Sequence, residues 1–422
     1  MTPAQQHVAR LYAGRITFDL MGGDVWLAQD EQGWAYTDNW VCSDCVNDLH
    51  LADEVKAAAD PDQTCDFCEA APAAELDVLL KAFFDGLRTE HAYAGDEGAY
   101  FEGELVATRS WSGPELVDDY AHVFTDEQLH AAVRDAALDH TWIERDFAAL
   151  RHDEALRDGW KRFCHQVKFR TRHVFWLTET SPDEEFLGAG EIPAAAILHA
   201  VGELIPQVEL LRELPAGHRL WRARTHSASN FCGHARHLGT PLPQQAVRPN
   251  RMSPAGIPLF YGASSPRTAV QEVTRHATDA TPLITYAAFE TTRPCTVVDF
   301  TRLIPEPLIF DPRHDAHLRR GVRFLDDFVE ELSANSNGLE HLEYVPTQIV
   351  TEYLLRVFSS SHPLDGLIFT SSADTVAGGG TCTVLDVPQA RCLDVGQPES
   401  DDALCLRIVA DSLAANLPCE GT

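Results

Sequence analysis

The segment from Arg251 to Glu272 constrains the fold more than any other part of the chain, because it specifies a loop, a strand and a helix in quick succession. Proline and glycine dominate its first part and predict a loop, and the apolar residues within 257–262 predict a short strand. Ser265 followed by Pro266 predicts a helix start, since the serine hydroxyl caps free backbone N–H groups and proline needs no N–H partner. One turn-and-helix unit therefore brings a cation, a phenol and a carboxylate towards a common region.

The cation, phenol and carboxylate are Arg251, Tyr261 and Glu272, and together they suit an anionic ligand with a ring to stack and a bond to break. An alternative for Glu272 is a solvent-exposed ion pair with Arg275, because charged side chains at helical spacing are common on helix surfaces. The spacing, ten residues from the arginine to the tyrosine and eleven more to the glutamate, favours a ligand site. It resembles the core signature of the RES-domain proteins, which are named for their Arg, Glu and Ser and are best known as NAD-degrading toxins.

Three further motifs resemble the same family and occur in the same order along the chain. Leu220-Trp221-Arg222 resembles the strand that opens the domain, the segment Asp365 to Ser371 resembles the family's DGI-x-Y-x-S strand, and a glycine pair follows at 378–379. The resemblance covers roughly residues 215–395. It implies a fold similar to that of ADP-ribosyltransferases, with a mixed sheet split around a cleft that receives NAD, and cleavage of the nicotinamide–ribose bond.

The resemblance also implies a role for each candidate residue in such a cleft. Glu272 would stabilise the oxocarbenium-like charge that develops on the ribose, Arg251 would hold phosphate or ribose oxygens, and Tyr261 would stack on or hydrogen-bond near the nicotinamide ribose. Ser371 would position Glu272 or the amide, with the neighbouring Ser372 as the alternative if the register shifts by one. The remaining candidates for cofactor binding are Arg222, which would line the phosphate side with Arg224 as its competitor, and Gln348. The segment 347–352 resembles a family helix that packs behind the cleft, from which Gln348 would hydrogen-bond the site wall.

Four of the eleven cysteines form two C-x2-C pairs, Cys42 with Cys45 and Cys65 with Cys68, separated by nineteen residues. This spacing predicts a structural zinc site built from two knuckles, with a closed ligand set that leaves no open position for catalysis. A redox pair or unrelated buried thiols are the alternatives. We expect most of the scattered cysteines to be core residues.

The formal net charge of −31 argues against general affinity for DNA, RNA or anionic membranes, because phosphate groups repel such a surface. No apolar stretch is long enough to cross a bilayer, and the first residues lack the basic start and apolar run of a secretion signal. Because the paired cysteines suit a metal better than disulfides, we expect a cytoplasmic protein. Toxins that resemble this chain are commonly paired with an antitoxin, so an antitoxin or a regulatory protein is an expected partner.

The chain is predicted to be α+β, with an ADP-ribosyltransferase-like mixed β domain after a mainly helical N-terminal region. Its expected regions are a zinc-knuckle region at 1–75, a helical region at 76–214, the RES domain at 215–395 and a C-terminal tail at 396–422. Helical spacing of apolar residues predicts helices over much of 125–175, at 193–214 and at 402–417. A zinc knuckle followed by helices and a RES domain resembles proteins whose N-terminal region is HEPN-like. Arg145 and His152 fit the Arg-x6-His motif of HEPN nucleases, but one such pair is expected by chance, which favours a scaffold or sensor.

Two functions from different classes are consistent with these features. The first is an enzyme that consumes NAD by hydrolysis, by phosphorolysis or by transfer of ADP-ribose to an acceptor, and that arrests growth as a toxin or defence effector. The second is a zinc-containing module that only senses a nucleotide. The set of Arg251, Tyr261, Glu272 and Ser371 favours the enzyme, since a sensor would not need the carboxylate.

Overall fold

The computed structural model describes residues 22–98, 100–101, 104–105, 109–177, 188–227, 233–274, 282–333, 339–358, 363–372, 380–399 and 402–418. The chain forms two compact units, Met1–Ala149 with Pro307–Arg319 and Leu150–Glu306 with Arg320–Thr422. The four regions expected from the sequence divide the chain differently and stay a prediction. Arg275 and the glycine pair at 378–379 lie outside the described residues. Within the described ranges, no helix is both long enough and apolar enough to cross a membrane.

The first unit consists mainly of helices, as predicted. They are Gly22–Gln32 (α1), Leu49–Ala58 (α2), Leu76–Leu87 (α3), Ala94–Glu97 (α4), Gly113–Asp119 (α5) and Glu127–Ala136 (α6). The strands are Trp40–Val41 (β1), Ala74–Glu75 (β2), His91–Tyr93 (β3), Tyr100–Phe101 (β4), Glu104–Leu105 (β5), Ser110–Ser112 (β6) and Thr141–Glu144 (β7). They form the pairs β1–β2 and β4–β5 and a small sheet of order β3-β7-β6.

The core of the first unit is built around α3. Its apolar residues recur at helical spacing, and Leu79, Leu80, Phe83 and Phe84 are fully buried. The neighbouring helix α2 begins where the Asp48 carboxylate accepts hydrogen bonds from two backbone N–H groups of its first turn. The segment that carries the first cysteine pair is thereby joined to a well-packed helix.

The second unit contains a large mixed sheet and the helices that pack against it. The helices are His152–Phe169 (α7), Ile197–Gln207 (α8), Ala235–Leu238 (α9), Pro266–Thr274 (α10), Ala316–Ser333 (α11, which belongs to this unit from Arg320 onwards), Glu340–Glu343 (α12) and Val345–Arg356 (α13). The strands are Leu211–Leu214 (β8), Arg219–His226 (β9), Phe260–Ala263 (β10), Leu283–Thr291 (β11), Cys295–Asp299 (β12), Gly366–Thr370 (β13), Thr381–Leu385 (β14), Cys392–Leu393 (β15), Leu406–Ile408 (β16) and Ala414–Pro418 (β17).

Nine of the ten strands follow the order β15-β16-β11-β9-β10-β14-β13-β12-β8, and the tenth, β17, pairs with β11 beside β16. Neighbouring strands are antiparallel except for the parallel pairs β12–β13 and β15–β16. The ladder between β9 and β11 is long, whereas β9 and β10 pair only through Trp221 and Ala263. The sheet therefore separates between β9 and β10. The predicted mixed-sheet architecture after a helical N-terminal region is confirmed.

Three local predictions are wrong. Residues 402–417 do not form a helix, because this segment supplies β16 and β17 to the edge of β11. The helix predicted at 193–214 ends at Gln207, and after Glu209 adopts a positive φ of 55° the chain continues as β8. The helical pattern of 125–175 is interrupted by β7. Short apolar segments fit either a helix or a strand, and a neighbouring strand with unpaired backbone groups decides the outcome.

Candidate functional site

A cleft of about 680 Å³ lies in the second unit beside the separation of β9 and β10. Its size falls within the range of roughly 300–1,000 Å³ that is typical of small-molecule sites. The walls come from both strands, from α10, from the loop before β10 and from the residues that precede α13. The residues that matter most for its chemistry are Trp221, Arg222, Arg248, Arg251, Tyr261, Glu272, Tyr344, Ser372 and Cys382.

Helix α10 carries Glu272 and is held firmly on the sheet. The Ser265 hydroxyl accepts a hydrogen bond of 3.0 Å from the Thr268 backbone N–H, which is the predicted cap at the helix start. Thr268 is fully buried against Gly380, where an added Cβ would come within 2.1 Å of the Thr268 Oγ1 atom. Only glycine allows this close approach. The position of Glu272 is therefore set by the packing one turn earlier in the helix.

Glu272 is bound to the strand pair β13–β14 through one of its two oxygens. The Ser371 hydroxyl donates to Glu272 Oε1, and the Cys382 sulfur lies 3.6 Å from the same oxygen. Ser371 is itself aligned by a 2.8 Å bond from its backbone N–H to the Gly380 carbonyl. Of the two serines that fitted the sequence motif, Ser371 contacts the carboxylate, and Ser372 lines the cleft.

Arg251 is a half-buried cation that the loop before β10 presents to the cleft. Its Nη1 donates to the Leu332 carbonyl at 3.0 Å, and its guanidinium carbon lies 5.2 Å from the centre of the Tyr344 ring. Burial lowers the pKa of Arg251, and the nearby charge of Glu272 acts in the opposite direction. The arginine and the glutamate are therefore within electrostatic reach of each other. A second anion near Arg251 would reduce the cost of burying this cation.

Helix α13 holds the loop that carries Arg251. The Gln348 side-chain N–H donates to the Asn250 carbonyl at 2.8 Å, and the Thr347 hydroxyl donates to the Arg251 carbonyl. Gln348 is buried and is not one of the residues that line the cleft. The sequence placed Gln348 on a helix behind the cleft with a hydrogen bond to the site wall, and the bond to Asn250, which lines the cleft, has this arrangement. A part for Gln348 in cofactor binding stays a prediction.

Tyr261 connects β10 to the same loop. Its hydroxyl oxygen accepts a hydrogen bond of 3.1 Å from the Met252 backbone N–H and lies 3.1 Å from the Ser253 hydroxyl. Burial raises the pKa of Tyr261 well above its ordinary value, so that the phenol stays protonated. Because the loop engages the hydroxyl, the part of Tyr261 that remains for a ligand is its ring.

Side chains alternate along β9, so Trp221 and Ala223 lie on one face of the strand and Arg222 and Arg224 on the opposite face. Arg222 reaches the cleft where the sheet separates: it donates to the Tyr261 carbonyl, and its guanidinium carbon lies 4.9 Å from the centre of the Phe260 ring. Burial lowers the pKa of Arg222, and the nearby Arg224 lowers it further. Arg224 donates to the Gly239 carbonyl at 2.9 Å and does not line the cleft. Of the two arginines, Arg222 is the one that lines the cleft, and its contact with phosphate stays a prediction.

The cleft is locally cationic although the whole protein is strongly acidic. Arg222, Arg248 and Arg251 line it, and among the described residues Glu272 is the one carboxylate in its wall. The Arg222 Nε atom is buried and has no hydrogen-bond partner within the described part of the chain. Cations arranged in this way favour an anionic ligand, and their planar guanidinium groups suit phosphate.

Three residues of the cleft were not singled out from the sequence: Arg248, Tyr344 and Cys382. Cys382 is one of the scattered cysteines expected in the core, and it is buried but also lines the cleft. The sequence did hold a signal for Cys382, which comes two residues after Gly380. The strand after this glycine, β14, pairs with β13, the strand that leads to Ser371, so a residue at this position lies near the site. No local pattern indicated Tyr344, which contacts Arg251 across a long separation in sequence.

The four paired cysteines of the first unit form a compact cluster. Their sulfur atoms all lie within 4.8 Å of one another, and the Cys42 sulfur is 3.7 Å from Cys45 and 3.3 Å from Cys68. The Cys45 sulfur is 3.8 Å from Cys65. Four sulfurs placed tetrahedrally at about 2.3 Å from a zinc ion would be about 3.8 Å apart. The cluster therefore fits a four-coordinate metal such as zinc.

Comparison with known families matches residues 58–181 to the HEPN/RES N-terminal domain 1 and residues 219–405 to the RES domain. The chain is a RES-domain protein with a HEPN-like N-terminal region. No curated protein and no solved structure matches the chain. A RES domain supports an NAD-related, toxin-type function and suggests an enzyme that acts on NAD. Every cleft residue discussed above lies within the matched RES domain.

The HEPN-like region does not carry the nuclease motif on one helix. Arg145 follows β7, where it donates to Glu97 at 2.6 Å and to the Arg88 carbonyl at 3.1 Å. His152 is the first residue of α7. The two residues of the motif thus lie at a strand end and at a helix start, and the scaffold or sensor role stays a prediction.

Proposed function

We propose that this protein is an enzyme that cleaves the nicotinamide–ribose bond of NAD, with water or phosphate as the acceptor. The observation that carries the proposal is the carboxylate of Glu272, which Ser371 binds at the wall of a cleft that three arginines also line. A site that only sensed an anion would gain nothing from a negative charge among its arginines. A dinucleotide with an anionic pyrophosphate and a cationic nicotinamide uses both signs of charge.

Bond cleavage in this proposal depends on Glu272. When the N-glycosidic bond breaks, its electron pair leaves with nicotinamide, and the positive charge passes from the ring to the ribose. The resulting oxocarbenium-like state is stabilised by a fixed carboxylate beside the anomeric carbon. The acceptor then forms a bond to that carbon and loses its proton to the solvent or to Glu272. Ser371 holds the carboxylate through a hydrogen bond, and its hydroxyl neither gains nor loses a proton in the reaction.

The other end of the substrate is assigned to the arginines. Arg251, stacked on Tyr344, would bind pyrophosphate or ribose oxygens, and Arg222 would bind phosphate with the part of its guanidinium group that lines the cleft. Tyr261 would offer its ring to the nicotinamide ribose while its hydroxyl holds the loop. Arg224 and Gln348 would support these groups from behind instead of touching the substrate.

We also propose that the cysteine cluster binds a structural zinc ion. Cys42, Cys45 and Cys65 are buried and Cys68 is exposed, so four thiolates would complete the coordination and leave no position for water or substrate. Zinc would supply folding free energy to the first unit and take no part in NAD cleavage. A redox pair is less consistent with four sulfurs at tetrahedral distances.

Consumption of the cytoplasmic NAD pool would arrest growth, so we expect the protein to act as a toxin or defence effector. Such an activity requires restraint, either by an antitoxin or regulatory protein or by the helical region of the chain. Expression from a tight promoter, with cellular NAD measured alongside growth, tests this point. Growth arrest without a fall in NAD would contradict it.

The direct test incubates the purified full-length protein with NAD and follows free nicotinamide by chromatography. The second product identifies the acceptor: ADP-ribose indicates water, and its 1″-phosphate, formed only in phosphate buffer, indicates phosphorolysis. A parallel reaction uses NAD labelled in its ADP-ribose part. Label that becomes attached to protein or nucleic acid would indicate ADP-ribosyl transfer instead. Binding of NAD without any release of nicotinamide would overturn the proposal and support a nucleotide sensor.

A further inference from the structure

Cys382 is a cleft residue to which the proposed mechanism gives no role. It lies on β14, is 6% exposed and places its sulfur 3.6 Å from Glu272 Oε1. Burial and the charge of Glu272 both raise the pKa of the Cys382 thiol. A protonated thiol is a poor nucleophile but a hydrogen-bond donor. The group therefore faces the carboxylate as S–H and not as a thiolate.

The two donors to Glu272 come from an antiparallel strand pair, since Ser371 directly follows β13 and Cys382 lies on β14. Cys382 pairs with Phe369, and the Ser371 backbone N–H bonds to the Gly380 carbonyl, so Cys382 and Ser371 project from the same face of the strand pair. On the helix above, Thr268 packs against Gly380 and Glu272 follows one turn later. The four helix residues from Thr268 to Glu272 rise about 6.0 Å and the two strand residues from Gly380 to Cys382 about 6.8 Å, so the two spacings differ by less than about 1 Å.

Both donors converge on the same oxygen. Ser371 and Cys382 bind Oε1, and no donor to Oε2 is found among the residues that the structure describes. A carboxylate held in this way cannot rotate about its last bond without losing both donors. Oε2, to which no described residue donates, can accept a hydrogen bond from a ligand or stabilise a positive charge on it.

We propose that Cys382 is a positioning residue that, with Ser371, fixes Glu272 Oε1 and leaves Oε2 for the ribose of the substrate. This inference rests on the proposed NAD cleavage, because it names the oxygen that faces the anomeric carbon. The thiol contributes orientation and remains chemically unchanged through the reaction.

The kinetic test compares Cys382→Ala with Cys382→Ser and with Cys295→Ala as a matched control. Cys295 is a buried cysteine on β12 of the same sheet that does not line the cleft. Loss of one hydrogen bond is worth about 0.5–1.5 kcal/mol, so Cys382→Ala should lower kcat by about 2- to 12-fold with little change in KM. Cys382→Ser keeps a donor and should recover most of this loss, whereas Cys295→Ala should leave kcat unchanged.

A structural role alone predicts a different pattern. Both alanine variants would then lose stability while kcat stayed at the parent value, and serine at position 382 would be no better than alanine. A parent-like kcat in Cys382→Ala, or a Cys382→Ser variant no more active than Cys382→Ala, would overturn the inference. The double variant Ser371→Ala with Cys382→Ala should lose more than the product of the single losses, because the two donors share one acceptor.

An infrared measurement keeps the inference separate from the proposed function, since it needs no turnover. The S–H stretching band of Cys382 is identified as the band that disappears in Cys382→Ser. We expect Glu272→Ala to shift this band to higher frequency, because the acceptor is lost. An unshifted band overturns the hydrogen bond whatever the activity, whereas a shifted band in a protein that releases no nicotinamide refutes the proposed function and not the contact.

Discussion

The substitution Glu272→Gln tests the proposed chemistry most directly. Glutamine preserves the shape of the side chain and can still accept from Ser371 through its carbonyl oxygen, so the loss is confined to the negative charge. At about 4 Å and an effective dielectric constant of about 20, a unit charge stabilises an opposite charge by about 4 kcal/mol. The substrate already carries this positive charge on its nicotinamide, and the charge only moves to the ribose. Only part of this energy therefore lowers the activation barrier. We therefore expect kcat to fall by about 10²–10³, the loss typical of one electrostatic contact in a transition state.

Nicotinamide release over a range of NAD concentrations measures this effect, and calorimetry measures binding. Binding should persist, because Arg222 and Arg251 are unchanged. Glu352→Gln is the matched control, since Glu352 is an exposed carboxylate on α13 that does not line the cleft. If Glu272→Gln released nicotinamide at the parent rate, the catalytic assignment of Glu272 would fail. The same conclusion would follow if the control lost as much activity as Glu272→Gln.

Three further variants test other parts of the structure. Arg251→Ala should weaken NAD binding and lower kcat/KM by about 10- to 150-fold, the value of a charged hydrogen bond of about 1.5–3 kcal/mol; an unchanged calorimetric Kd would exclude Arg251 from the substrate site. Cys65→Ser should lower the bound zinc and the melting temperature while Cys164→Ser does neither, as read by metal analysis and thermal unfolding; a full zinc equivalent in Cys65→Ser would disprove the four-thiolate site. Gly380→Ala should force Thr268 and its helix away from the sheet, costing about 1–3 kcal/mol of stability and most of the activity, and parent-like values for both would show that the contact is not tight.

The candidate site was partly readable from the sequence because much of its information is local. Ser265 and Pro266 specify a helix start, and that start sets the direction of Glu272. The two C-x2-C pairs likewise predict a cluster of sulfurs, since a knuckle brings both of its cysteines to one point. In each case the necessary residues are separated by a few positions, and short-range geometry is sufficient to relate them.

Long-range strand pairing decided the remainder. The sequence alone could not choose between Arg222 and Arg224, because both lie on one face of β9 and only the separation from β10 brings Arg222 to the cleft. Nor could it relate Cys382 to Glu272, whose contact depends on how α10 crosses β13 and β14. The segment 402–417 has apolar residues that fit a helix, yet β11 offers an edge with which it pairs as strands. Local propensity therefore determined the elements with strong caps and motifs, whereas hydrogen bonding and burial between distant segments determined which side chains meet.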